Sequence, residues 1–406
     1  MFFSLTVYAL LVFLLFYGCK SVAKLSSSTG TSISTNVFSV DTAKCLQGFC
    51  ALCVVLHHLS QNKDFSKYDV LGVFENIGYL FVAVFFFCSG FGLVRSYDTK
   101  KNYLDGFVKK RMVPILVAFF VMNLIYALYR LLNGEHFPPV QWITGILGLV
   151  LLNNQAWYVI VILIMYTIFY VCFKNIKNRK ISFAIVFASI LVQGSIFCVL
   201  GHFAWWSKPD SWQKLLRGGG SWWQSFGMLW FQGEWWVNST VAFLVGMLVA
   251  NYFESILVFL GKKYWLKFFV LALICIVTFE FSRFAQWKIS YWSEFGGNLG
   301  IKNKFICYFA QMAFVIPFVL SIFMLSFKVK VGNKPLRFLG GFSLELYLMQ
   351  LIPITSWADV VMKRENLAGD NRIWYMILYS VLVILSSLVL AIIYKWIHRR
   401  ITSLID

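Results

Sequence analysis

The stretch DTAKCLQGFCALCVVLHHLSQ, Asp41 to Gln61, decides how the rest of the chain is read. It is apolar and, at about 1.5 Å per helical residue, long enough to cross the roughly 30 Å hydrocarbon core of a bilayer. Lys44 and Gln47 stand near its start, and His57 and His58 near its end. A charged or titratable group inside hydrocarbon costs at least ~2.5 kcal/mol, so it rarely persists there without a role. His58 lies eleven residues after Gln47, which at about 100° per residue returns it to the same helix face, with Lys44 about 40° away. One polar stripe thus joins one mouth of the helix to a histidine about 20 Å distant, while His57 points roughly a quarter-turn aside. The plain structural alternative is that the two imidazoles only hydrogen-bond neighbouring helices. Inside a span and beside a polar stripe, the functional reading is preferred. A neutral imidazole takes a proton from a hydroxyl at physiological pH, so its natural role is general base.

The composition agrees with a membrane setting. Of 406 residues, 60% are hydrophobic and only 13% charged, with a mean hydropathy of +0.73; a soluble chain of this make-up would be coated in apolar surface. The fold class expected is an all-α, multi-pass bundle whose partner is the lipid bilayer. A net charge of +19 would suit nucleic acid only if the basic residues gathered on one folded surface, and here they fall in short clusters between apolar runs. No nucleic-acid partner is expected. The nine cysteines lie mostly within apolar segments without CxxC spacing, which argues for small core residues rather than disulfides or a metal site.

Phe2 to Cys19 is an unbroken apolar run with no basic region before it and with Lys20 and Lys24 after it, so it reads as an uncleaved helix whose N-terminus is extracytoplasmic. A Ser/Thr-rich cytoplasmic linker follows to Val40. Residues 1–40 are therefore set apart from 41–406 as an N-terminal helix plus linker. Further spans are expected at about 44–61, 76–97, 112–131, 156–173, 181–200, 237–253, 265–281, 305–326, 340–357 and 373–395, about eleven in all. Basic clusters at Arg95 to Arg111, Lys174 to Lys180, Lys262 to Lys267, Lys328 to Arg337 and Lys395 to Arg400 all fall on the cytoplasmic side if Trp142 to Leu152 does not cross. That run is short and reads as re-entrant or interfacial. The expected location is the cell membrane, with a cytoplasmic C-terminus.

Gly201 to Trp236 carries Trp205, Trp206, Trp212, Trp222, Trp223, Trp230, Trp235 and Trp236. Indoles favour the membrane interface; with Asp210, Gln213 and Glu234 alongside, they also suit a platform on which sugar rings stack, and both readings can hold together. No GxxxxGK[ST] loop and no 20–50 residue repeat is present.

GFCALCVVLHH (Gly48 to His58), VAVFFFCSGFGL (Val82 to Leu93), KKRMVP (Lys109 to Pro114), AWYVIVILIMY (Ala156 to Tyr166), VNSTVAFLVGMLVA (Val237 to Ala250) and LGGFSLELYLMQ (Leu339 to Gln350) together resemble the acyltransferase 3 family of integral membrane acyltransferases, in family order from Asp41 to the last span. The resemblance implies a ten-helix acyltransferase core with one extra N-terminal helix. It also implies transfer of an acyl group, usually acetyl, from cytoplasmic acetyl-CoA or another acyl-CoA to a hydroxyl of an extracytoplasmic glycan or glycolipid, the acyl-CoA being a donor substrate and no cofactor being bound. His58 matches the family's catalytic histidine and His57 its less constant neighbour. Gln47 stands where the family carries arginine, and Lys44, one turn earlier, substitutes. Arg111 matches the second of the family's paired arginines before proline, while the first position is Val108. Gln350 stands where histidine is frequent.

Coenzyme A carries phosphates, and Lys44, Arg95, Lys109, Lys110 and Arg111 are the expected donor contacts, although topology alone would also explain basic residues there. Ser89, Trp157, Tyr158, Asn238, Glu345 and Tyr347 are expected to line the site. Ser89 lacks a GxSxG elbow and is equally a small residue for close helix packing. Glu345 needs a basic or histidine partner. In the expected mechanism His58 deprotonates the acceptor and nearby donors steady the oxyanion, with a histidine-linked acyl intermediate as the competing route. A transporter or flippase of a lipid-linked glycan shares the same composition, but the paired Gly/Pro-interrupted spans that mark inverted repeats are missing from the sequence.

Overall fold

The structure is a computed structural model that describes residues 2–22, 37–137, 139–201, 237–290 and 300–405. The Trp-rich segment with its Asp210, Gln213 and Glu234 lies outside the described residues, as does most of the Ser/Thr-rich linker. In chain order the helices are α1 (Phe2–Phe16), α2 (Val40–Ser60), α3 (Lys63–Lys67), α4 (Gly72–Glu75), α5 (Gly78–Thr99), α6 (Val113–Leu132), α7 (Pro139–Ile146), α8 (Trp157–Asn175), α9 (Arg179–Ile196), α10 (Val241–Asn251), α11 (Phe253–Gly261), α12 (Tyr264–Phe284), α13 (Ile301–Lys328), α14 (Lys334–Gly341), α15 (Ser343–Met349), α16 (Leu351–Val361) and α17 (Arg372–Ile405). Strand among the described residues is confined to Lys20–Ser21 and Val329–Lys330, which pair antiparallel with Lys20 opposite Lys330.

The fold is an all-α polytopic membrane bundle. Among the described residues eight helices are long and apolar enough to cross unaided, and α1 is a shorter apolar helix. The expected span at 237–253 continues from α10 into α11 through a 79° bend. The span at 340–357 is divided: Phe342 leaves helical geometry after Gly340 and Gly341, and at Gln350 the helix is interrupted where Pro353 has no N–H to offer the carbonyl one turn back. Trp142 to Leu152 forms only the eight-residue α7 and a turn through Gly148. Arg130 holds that turn by donating from Nε and Nη2 to the Leu152 carbonyl at 3.1 and 2.7 Å. It is too short to cross.

The chain forms two compact units, one comprising Met1–Gly92, Val245–Cys275 and Val315–Lys395 and the other Leu93–Leu244, Ile276–Phe314 and Trp396–Asp406. In the first, Phe38 meets Phe87 and Phe91 edge-on at 5.2 and 5.0 Å, a favourable geometry for aromatic quadrupoles. α1 runs antiparallel to α2. Its first turn accepts the Leu71 N–H on Ser4 Oγ (3.1 Å), beyond the histidine end of α2. Its last turn offers the Leu14 carbonyl to Asn333 Nδ2 (2.7 Å), and Asn333 caps α14, which packs on the start of α2. In the second unit, Gly194 allows the Tyr308 ring against α9, and the Tyr308 hydroxyl donates to the Ile190 carbonyl at 3.2 Å.

Candidate active site

The site is built on α2. Ser39 caps it by accepting the Thr42 N–H, and Arg337 pairs with Asp41 in its first turn. A side-chain Cβ at Gly48 would collide with the Leu336 carbonyl, and one at Gly340 would collide with the Lys44 carbonyl. α2 and α14 therefore cross backbone to backbone, the approach that small residues permit in membrane bundles. At this crossing Lys44 is exposed and Gln47 half-buried.

At the far end of α2 the two histidines differ in their bonding. His57 Nδ1 lies 2.7 Å from the Phe74 carbonyl. A carbonyl only accepts, so Nδ1 carries the proton and Nε2 keeps its lone pair. Gly78 makes room for that ring, because a Cβ there would enter the imidazole. The His58 ring stands 5.1 Å from that of His57, tilted by 47°. Among the described residues His58 Nδ1 is buried with no hydrogen-bond partner, a condition rare in native interiors and informative where it occurs. Against His58 lies the side chain of Gln350, itself fully buried. Gln350 donates from Nε2 to the Tyr347 carbonyl at 3.1 Å, and its Oε1 is also buried without a partner among the described residues.

Glu345 is buried, and its carboxylate finds the Lys395 ammonium at 3.7 Å, with side-chain exposures of 8% and 17%. Lys395 also donates to the Gly341 carbonyl and sits 4.6 Å over the Phe342 ring. The basic partner expected for Glu345 is thus on the last helix. Ser89 is half-buried in α5, one turn of which passes directly under Gly246 of α10: a Cβ at Gly246 would strike the Phe87 carbonyl. This close crossing favours the packing reading of Ser89. Tyr347 is half-buried on α15.

The remaining expected residues belong to the second unit. Lys109, Lys110 and Arg111 are exposed on the π-helical turn Val108–Met112, which forms where Pro114 leaves the preceding turn without its donor. Arg111 lies 5.9 Å over the Tyr103 ring, and Arg95 is half-buried near the end of α5. Trp157 is buried, and its ring meets that of the half-buried Tyr158 edge-on at 6.3 Å. Asn238 is buried and donates to Gln311, leaving its Oδ1 unpartnered among the described residues.

The first unit therefore gathers His57, His58 and Gln350 at one end of α2, and Glu345 with Lys395 around α15. It leaves Lys44 and Gln47 toward the other end of α2. Gln350, Lys395 and Gln311 were not expected among the site residues. Only Gln350 carried a signal, a polar residue at the family's frequent histidine position. Among the described residues no cluster of His, Cys, Asp or Glu is placed to hold a metal ion.

The acyltransferase domain model of the acyltransferase 3 family matches residues 41–395. The chain belongs to the acyltransferase 3 family. As a family member it is a membrane acyltransferase, and the matched region takes in α2 through most of α17. No curated protein and no solved structure matches the chain.

Proposed function

We propose that this acyltransferase moves an acetyl group from cytoplasmic acetyl-CoA to a hydroxyl of an extracytoplasmic glycan or glycolipid, with His58 as general base. The observation that carries the reading is the buried Nδ1 of His58 at the end of α2, which meets no hydrogen-bond partner among the described residues. His58 Nδ1 takes the hydroxyl proton while the oxygen attacks the thioester carbonyl carbon. The tetrahedral intermediate collapses by breaking the C–S bond, and the departing thiolate recovers the proton from the imidazolium. Gln350 positions the ring, and His57, anchored to Phe74, walls its other side.

Lys44 in the first unit and Lys109, Lys110 and Arg111 in the second, all exposed, together with the half-buried Arg95, are the cations suited to the donor's phosphates. The N-terminus lies outside and the C-terminus inside, in keeping with the basic clusters between spans. Purified protein mixed with acetyl-CoA and a glycan panel tests the reading by release of free thiol and acetylation of the acceptor. His58→Ala is expected to remain folded in the membrane and to lose transfer; transfer retained by that variant overturns the assignment.

A further inference from the structure

An apolar groove of about 1040 Å³ opens along the first unit between α1 and α17, with α2 as its floor. It lies on the far side of α2 from His58, because Leu56 in the groove is two residues, or about 200°, before it. Its walls include Val7, Leu14, Leu52 and Ile384. Among the described residues Arg372 is the one charged residue that lines it.

Arg372 opens α17 and stacks its guanidinium 4.6 Å over the Tyr68 ring. Tyr68 follows α3 at the histidine end of α2, where Ser4 of α1 also bonds Leu71, so Arg372 marks one end of the groove. Its N–H donors meet no acceptor among the described residues. From Arg372 to Ile384 the helix descends about 18 Å, close to the ~15 Å of a single leaflet in a roughly 30 Å core. Trp374, two residues on, is 69% exposed, as suits an indole at the membrane interface. An apolar slot one leaflet deep, ending at a pre-oriented guanidinium with free donors, has the chemistry of a phosphodiester headgroup and its acyl chains.

We propose that this groove binds an anionic diacyl phospholipid from the leaflet on the histidine side, its phosphate held by Arg372 and its chains laid between α1 and α17. Among the described residues no carboxylate lines the groove to receive an ammonium headgroup, so the site selects an anionic over a zwitterionic lipid. A long polyprenyl chain would overrun a slot of this depth. The site stands apart from acyl transfer, and its residues belong to no part of that machinery.

The test uses the full chain in nanodiscs of equal phosphatidylglycerol and phosphatidylcholine, released into native mass spectrometry, with a second set containing polyprenyl phosphate. The wild type is expected to retain phosphatidylglycerol preferentially. Arg372→Gln should lower that retention about tenfold, the worth of a charge-assisted hydrogen bond, and Arg372→Lys should keep part of it. Val7→Trp, which fills the groove and leaves the headgroup contact, should displace the lipid as well. Equal retention of both phospholipids, retention unchanged by all three substitutions, or preferential capture of polyprenyl phosphate overturns the proposal.

Discussion

Gly48 and Gly340 face each other across the α2–α14 crossing with no room for a Cβ on either. The obstacle in each case is a main-chain carbonyl, of Leu336 or of Lys44, so it cannot be relieved by a rotamer change. Gly48→Ala or Gly340→Ala is expected to destabilise the protein by about 3 kcal/mol, the upper end of overpacking costs. Gly92 on α5 has open space around its Cβ position, and Gly92→Ala should be nearly neutral. Thermal unfolding of detergent-purified variants compares the three; equal melting temperatures would contradict the close crossing.

Gly78→Ala drives a methyl group into the His57 ring and must break its bond to the Phe74 carbonyl. Transfer activity should fall at least tenfold, because a misplacement near 1 Å at a reacting group costs about that much or more. The KM for acetyl-CoA should change little. A KM effect without a kcat effect would place His57 on the donor path instead.

The Glu345–Lys395 pair is buried enough for its halves to depend on one another. Glu345→Gln or Lys395→Met alone is expected to cost about 3 kcal/mol by leaving one charge unpaired, and the double variant should recover most of that loss. A double-mutant cycle on unfolding measures the coupling. Strict additivity would mean that the two groups act independently.

Gln350 touches the His58 ring and packs in its own helix break. Gln350→Ala frees the His58 ring to shift and should lower kcat about tenfold, as a misplaced reacting group does, with donor KM preserved. Gln350→His, which restores the residue frequent in the family, is expected to retain more activity than the alanine variant. Turnover under saturating donor is the measurement.

Lys109, Lys110 and Arg111 are exposed on their π-helical turn. Neutralising each should raise the donor KM roughly two- to fivefold, as for one exposed ion pair. The effect should shrink at high salt as screening removes the contribution of the wild-type charge. A KM insensitive to both substitution and salt would leave these residues as topology signals alone.

The bundle was legible because hydropathy and loop charge report the solvent that each segment must satisfy. Period and length placed every apolar stretch from Phe2 to α17, and helical phase put Gln47 and His58 on one stripe. What composition cannot show is where a helix breaks while remaining apolar. The bend between α10 and α11 and the interruption at Gln350 depend on local backbone geometry and on what packs beside it.

The sequence by itself determined the membrane class, the family and the candidate histidine, since these depend on residue type and spacing along one helix. Only the tertiary structure decided what each polar group meets. It gave His57 to the Phe74 carbonyl, left His58 Nδ1 without a partner among the described residues, and set Gln350 against the His58 ring. It matched Glu345 with Lys395, fifty residues along the chain. In an interior without water a buried polar group must find its partner within the protein or in a ligand. That partner is chosen by packing between distant segments, which local sequence does not encode.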